Sequence, residues 1–389
     1  MKINQIYSVL NDINTQMWGA AAGAVEDLSG IVSMGTNLIG NAVSTDRFLN
    51  LLVDRIGKTT FRTLDIELDF PGLYMDSFTF GAVLQKITCN PIAAEESNDY
   101  NVGDNNFSST LLDVRKPSVS VKYFDGLDTA SFCVTIPRNL FESAFESETA
   151  MANFFSAIIS ALNDSLIMSL NNMSRTAVNN FIAEKFKIGN GCINLLAEYN
   201  TAFPNDTITA AETMYSPAFI RFATNYVKNY VDFLKDPSVL YNAGGKLRAT
   251  ARDNMHILAN TLFANAAETY LQADTFWKEL VALPKYTKVN QWQSNTDGND
   301  TNTFDTNTMI NVIPSSEEGQ LSPTAVNKSG ILMVLADRQA IAVGINKRYS
   351  GVFTNPLEFY STMKEEFSTQ WINDLDENGI IFYVEDTTP

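Results

Sequence analysis

The chain has 389 residues, of which 45% are hydrophobic and only 18% charged, with 25 Phe and 14 Tyr. That length supports two or three compact units, and the apolar content excludes wholesale disorder. A formal net charge of −17 excludes wrapping of nucleic acid, which needs clustered Lys and Arg; the longest basic groupings are Arg115-Lys116 and Lys347-Arg348.

So many aromatic residues beside so few charges point to surface covered by partners. Cys89, Cys133 and Cys192 are far apart and form no CxxC pair, so neither a zinc site nor a disulfide framework is expected, and buried free thiols are. The N-terminus lacks the pattern of a secretory signal. The Ala- and Gly-rich stretch from Met17 to Val43 is interrupted by Glu26, Asp27, Asn37 and Asn41, which argues against a membrane span.

In chain order, residues 1–45 read as a loose arm: an amphipathic turn (Ile3, Ile6, Tyr7, Leu10) and then small residues suited to extended or loosely helical chain. A short helix is expected over Phe48–Ile56, with Asp46 as N-cap and Gly57 as stop. Arg62–Phe70 alternates apolar with polar as a half-buried strand does. Val119–Tyr123 and Phe132–Ile136 read as returning strands around an Asp125-Gly126 turn. The polar stretch between Pro91 and Asp113 makes the whole a long hairpin whose tip carries too little apolar surface to fold alone, as in an arm that docks on a neighbour.

The strongest local signal runs from about Thr149 to Phe186. Apolar residues recur at Met151, Phe154, Ile158, Leu162, Leu166, Leu170, Met173, Val178, Phe181 and Ile182 with helical spacing, unbroken by Pro or Gly. At ~1.5 Å per residue this predicts a spine of roughly 50–55 Å, amphipathic on one face. Beyond it, Ser216–Phe233 reads as a helix, Asp253–Phe263 as a strand, Ala264–Ala282 as a helix, and Ser294–Thr308 as a solvated loop. Ile331–Leu335, an Asp337-Arg338 turn, Ala340–Ile345 and Ile380–Val384 read as strands; periodicity leaves 357–372 open between helix and strand.

Candidates for chemistry are few. The lone histidine, His256, sits in a predicted strand with no base or orienting group implied beside it. Gly244-Gly245-Lys246 lacks the rest of a phosphate loop and reads as a turn. Asp374, Asp376, Asn378 and Glu385 match a calcium-loop template, but only four residues follow Glu385, too few for an exit helix, and Ile380–Val384 looks like strand. A hairpin turn is favoured over a metal site there. Paired carboxylates at Glu95-Glu96, Glu317-Glu318 and Glu365-Glu366 read as solvated faces. No catalytic residue, cofactor or metal is expected.

The order of parts carries more weight than any motif. An arm, a long hairpin, a spine helix, a mixed unit and a β-rich return resemble the Hong Kong 97 fold of tailed-phage major capsid proteins, an α+β architecture. The resemblance is nearer to small podophages of the phi-twenty-nine kind. It rests on Leu52-Val53-Asp54-Arg55-Ile56-Gly57, on Phe154–Leu162 (FFSAIISAL), on Leu247-Arg248-Ala249-Thr250-Ala251-Arg252 and on the block from Asn355-Pro356 to Asp386.

The resemblance implies an arm and short helix over 1–57, an extended hairpin (E-loop) over 58–124, a peripheral (P) domain with the spine over 125–195, an axial (A) domain over 196–330 and a β-rich return over 331–389. It implies a strand for 357–372, and it leaves no room for the extra immunoglobulin-like domain of some relatives. The function implied is assembly of hexamers and pentamers into an icosahedral or prolate head. Scaffolding protein and portal would be partners during assembly in the host cytoplasm, and double-stranded DNA would be enclosed in the virion without sequence-specific binding or membrane contact. Subunit contacts are expected in the regions of Phe70, Tyr74, Tyr100, Phe107, Arg115, Lys347 and Arg348. The alternatives are an encapsulin-like nanocompartment shell and, from a different class, an unrelated enzyme or adhesin.

Overall fold

A computed structural model describes residues 3–19, 25, 27–39, 44, 47–48, 51, 69–75, 84–89, 119–124, 127–272, 285–293, 309–312, 325–355 and 360–386. The helices are α1 (Ile3–Trp18), α2 (Leu28–Ile39), α3 (Arg138–Ala144), α4 (Glu148–Ile188), α5 (Leu195–Ala202), α6 (Pro217–Phe233) and α7 (Thr261–Gln272). The strands are β1 (Tyr74–Met75), β2 (Leu84–Cys89), β3 (Val119–Phe124), β4 (Leu127–Pro137), β5 (Cys192–Asn194), β6 (Met255–Asn260) and β7 (Thr287–Val289). They continue with β8 (Ile310–Val312), β9 (Val326–Lys328), β10 (Ile331–Asp337), β11 (Ile341–Asn355), β12 (Tyr360–Asn373) and β13 (Gly379–Tyr383).

The spine helix α4 is the expected one, 41 residues long, or about 60 Å. Ser147 caps its start by accepting from the Ala150 N–H at 3.0 Å, and Gly189 ends it in the left-handed region at φ 72°. The expectation of a single buried face holds only for its first half. From Ala177 to Lys185 every residue is buried, and Asn171, Ser174, Arg175, Asn179, Asn180, Glu184 and Lys185 are the buried polar side chains of this half.

Asn171, Arg175 and Asn179 stand four residues apart and so share one helix face. They tie two distant segments to the spine. Asn171 Oδ1 accepts from the Asp69 N–H (3.0 Å), Arg175 Nε donates to Asp69 Oδ2 (2.8 Å), Arg175 Nη1 donates to the Gln291 carbonyl, and Asn179 Nδ2 donates to the Trp292 carbonyl (2.7 Å).

Three apolar clusters share the spine. Met151, Phe154 and Ile158 pack with Leu10, Ile13, Ile31, Met34 and Leu38 of α1 and α2. Leu166 and Leu170 meet Phe367 of β12. Val178, Phe181 and Ile182 pack with Val334, Ile341 and Ile381. The N-terminal segment is therefore no loose arm: its two helices bury apolar faces against the spine, a tertiary contact that its Gly-rich composition hides.

One sheet has strand order β1-β11-β12-β4 and another β5-β13-β10-β6-β7. β11 and β12 form a long antiparallel pair from Ile341–Asn373 to Asn355–Tyr360. The strand that resemblance implied for 357–372 is thus β12. β10 and β11 do not pair, although only a tight turn separates them: β10 lies between β13 and β6, and β11 beside β12. The chain changes sheets there, with the Ala340 N–H bonded to the Asp337 carbonyl at 2.9 Å. α5, α6 and α7 cover the five-stranded sheet through Leu196, Tyr199, Phe219, Ala223, Val227 and Phe263.

Three further expectations change. β3 and β4 do not pair across Asp125-Gly126; β3 returns on β2, and β4 lies along β12. The strand expected to Phe263 ends at Asn260, and α7 begins at Thr261. Cys89 and Cys133 are exposed, because each falls on the outward phase of its strand, and Cys192 is half-buried. Most of the 62–70 strand and of the 48–56 helix, the hairpin tip and the 294–308 loop lie outside the described residues.

Candidate functional site

The two-stranded ribbon β2–β3 joins neither larger sheet, so its position depends on what its two faces touch. Its cross-strand pairs alternate. Leu84–Phe124, Lys86–Lys122 and Thr88–Ser120 face the body, while Gln85–Tyr123, Ile87–Val121 and Cys89–Val119 face away. At the base, Leu84 and Phe124 pack on Ala342, Ile372 and Met75, and Gln370 Nε2 donates to the Phe124 carbonyl at 3.1 Å.

Further out, the body face is ionic. Lys86 and Lys122 lie opposite one another, an arrangement that is repulsive unless a carboxylate intervenes. Asp374 intervenes. Lys86 Nζ lies 2.7 Å from its Oδ2, and Lys122 Nζ 3.1 Å from its Oδ1. Lys86 also pairs with Glu377 (2.8 Å) and Lys122 with Asp376 (2.7 Å). Lys246 and Arg248, from the segment after α6, complete the cluster: Lys246 reaches Asp376 and Ser120 Oγ, and Arg248 Nε lies 3.1 Å from Glu377.

The acidic turn between β12 and β13 is thus clasped from three sides. Burial works against ionisation of Asp376, yet the bonds from Lys122 and Lys246 outweigh it and hold the carboxyl below its ordinary value. For Lys122 burial likewise disfavours charge, and Asp376 with Asp374 raises its pKa overall. Gly244 makes the approach possible, since a Cβ there would sit 2.2 Å from Asp376 Oδ1.

The calcium-loop match therefore holds ammonium and guanidinium groups: Asp374 and Asp376 bind lysines, Asn378 Nδ2 donates to Thr250 Oγ1 at 3.2 Å, and Glu385 pairs with Lys328 at 2.9 Å. The described residues contain no cluster of His, Cys, Asp and Glu suited to a metal ion. His256 lies in β6 beneath Gly72, with its Nε2 buried and no hydrogen-bond partner among the described residues. Burial, and secondarily Arg338, lowers its pKa. Lys246 of the Gly-Gly-Lys turn serves the acidic cluster.

Of the residues expected at subunit contacts, Phe70 is 2% exposed inside its own chain, and Tyr74 Oη donates to the Leu170 carbonyl at 3.1 Å. Lys347 and Arg348 lie in β11 opposite Ser368 and Phe367 of β12. Tyr100, Phe107 and Arg115 lie outside the described residues. Sequence reasoning missed the clasp. Its signal was a lysine at a body-facing position in each ribbon strand, where alternation calls for an apolar side chain.

A family model described as Phi29-like phage major capsid protein matches residues 7–383. No curated protein sequence matches the chain. The structure is similar to a chain in the capsid of Staphylococcus phage Andhra, with a TM-score of 0.51 at 12% identity, covering 84% of this chain and 87% of that one. It is also similar to a chain in the structure of the head fiber and inner core protein gp22 of native bacteriophage P68, with a TM-score of 0.50 at 11% identity, covering 83% and 87%. At such identities the likeness is one of fold, the Hong Kong 97-like capsid fold. With a family match over nearly its whole length, on a fold shared with phage capsids, the chain belongs to the Phi29-like phage major capsid protein family, the shell-forming proteins of tailed-phage heads.

Proposed function

We propose that this capsid protein builds its shell by laying the β2–β3 hairpin of each subunit over a neighbour, in hexamers and pentamers of an icosahedral or prolate head. The observation that carries this reading is the inverted polarity of the ribbon. Its lysines turn inward to the acidic turn, while Ile87 (60% exposed), Val121 (43%), Val119 (51%) and Tyr123 (66%) face outward. An isolated two-stranded ribbon with its apolar side in water is marginal, and covering that side with a second copy removes the cost.

The five-stranded sheet with α5, α6 and α7 acts as the axial unit in this reading. The four-stranded sheet with the spine acts as the peripheral unit. Tyr100, Phe107, Arg115, Lys347 and Arg348 remain the regional candidates for further contacts. The net charge of −17 suits a wall that encloses double-stranded DNA without gripping it. Scaffolding protein and portal act as assembly partners in the host cytoplasm, and the subunit works without catalysis.

The test is the double variant Ile87→Asp/Val121→Asp, expressed with the phage's scaffolding protein and viewed by negative-stain microscopy. The expected result is a soluble chain with wild-type circular dichroism that forms no closed shells. Normal shells from this variant would sink the reading.

A further inference from the structure

The ribbon is held to the body by two kinds of contact that respond differently to conditions. The Leu84–Phe124 rung is apolar, packed on Ala342 and Ile372 at the base. Everything described beyond it on the body face is charged or hydroxylic: Lys86, Lys122, Thr88 and Ser120. Seven charged groups meet there. Lys86 comes from β2, Lys122 from β3, Lys246 and Arg248 from the segment after α6, and Asp374, Asp376 and Glu377 from the acidic turn. The Asp374 and Glu377 side chains are nearly buried, at 2% and 8% exposure, whereas Lys122 keeps 29%. Competing ions can therefore reach the ribbon's side of the cluster more readily than the turn's.

We propose that the acidic turn Asp374–Glu377 is a charge-operated latch: paired, it clamps the β2–β3 ribbon to the body, and unpaired, it lets the ribbon swing on its Leu84–Phe124 pivot. The latch gives the hairpin two settings, one fixed by its own subunit and one left to a neighbour. Without the turn, Lys86 and Lys122 repel each other across the ribbon, so opening is driven from within as well. A charged segment of a second copy competing for the turn would open it, as would acid. The carboxylate Asp376 ionises below its ordinary value of 3.8, so its share of the clamp is complete above that pH and is lost as pH falls through the lowered value. Salt weakens it in proportion to the exposure of the lysines.

Hydrogen exchange of the unassembled full chain, followed by mass spectrometry, tests the latch separately from the shell-contact reading, because no neighbour is present. In Asp374→Asn/Glu377→Gln, amides of 84–89 and 119–124 should exchange at least about ten-fold faster than wild type, while β10 and β13 stay protected. Lys86→Met/Lys122→Met alters the ribbon side alone, leaves Lys246 and Arg248 on the turn, and should also loosen the ribbon selectively. Unchanged ribbon exchange in both variants would overturn the proposal. So would equal acceleration of ribbon, β10 and β13 in both, which would make the cluster a general part of the fold.

Discussion

Lys185 is fully buried near the end of the spine, and among the described residues no carboxylate lies within ion-pairing distance of its Nζ, which donates to the Tyr241 carbonyl at 2.9 Å. The Phe181 ring lies 5.9 Å away. Burial lowers its pKa from 10.5 to about 8. That difference corresponds to about 3 kcal/mol of destabilisation when the group is charged in both states. The sign follows from linkage. Below pH 8 folded and unfolded chains both carry the charge and the cost is full. Between 8 and 10.5 the folded chain releases its proton first, so stability rises with pH, and above 10.5 the cost is gone. Replacing Lys185 by Met keeps the stem, and the Tyr241 carbonyl stays satisfied by the Gly379 N–H at 3.0 Å. Lys185→Met should therefore stabilise the unassembled chain at pH 7 by about 2 kcal/mol, allowing for the lost ring contact. Urea unfolding of both proteins at pH 7 and pH 10 measures the effect, and taking the difference cancels other groups that titrate. The gain should shrink toward zero at pH 10. Destabilisation at pH 7, or a gain independent of pH, would refute the reasoning.

Gly330→Ala should cost about 2–4 kcal/mol by the same assay, because φ is +74° and a Cβ would meet the Val384 carbonyl oxygen at 2.0 Å. Arg175→Met should cost about 2–3 kcal/mol and loosen the 69–75 and 285–293 segments together in hydrogen exchange. It removes the Nε bond to Asp69 at 2.8 Å and the bond to the Gln291 carbonyl from a nearly buried site. Loss of protection in only one of those segments would contradict the role given to the spine's polar face.

What was legible in the sequence was local. Helical spacing sustained from Met151 to Ile182, unbroken by Pro or Gly, left little freedom for the spine. Ser216–Phe233 likewise read as a helix, and α6 begins one residue later at Pro217. The pairing partners were not legible. Asp125-Gly126 looks like a hairpin turn, yet β4 pairs with a strand more than two hundred residues away. The Asp337-Arg338 turn carries no sign that the chain leaves one sheet for another.

The acidic turn was recognised as a turn, and its composition suggested calcium. Its cations sit at Lys86, Lys122, Lys246 and Arg248, and the bonds of Lys86, Lys122 and Lys246 to the turn span 130 to 291 residues of sequence, so composition around the turn could not reveal them. The packing of α1 and α2 on the spine was hidden for a similar reason. Small residues blur the apolar period, and a partner more than a hundred residues away decides the structure.

The account centres on a hairpin whose apolar face is completed by a neighbouring subunit. A cryo-EM reconstruction of the assembled shell tests this most directly. The account predicts that Ile87, Val119, Val121 and Tyr123 of each subunit are covered by side chains of an adjacent copy. A shell in which that face points into solvent on every subunit would contradict it.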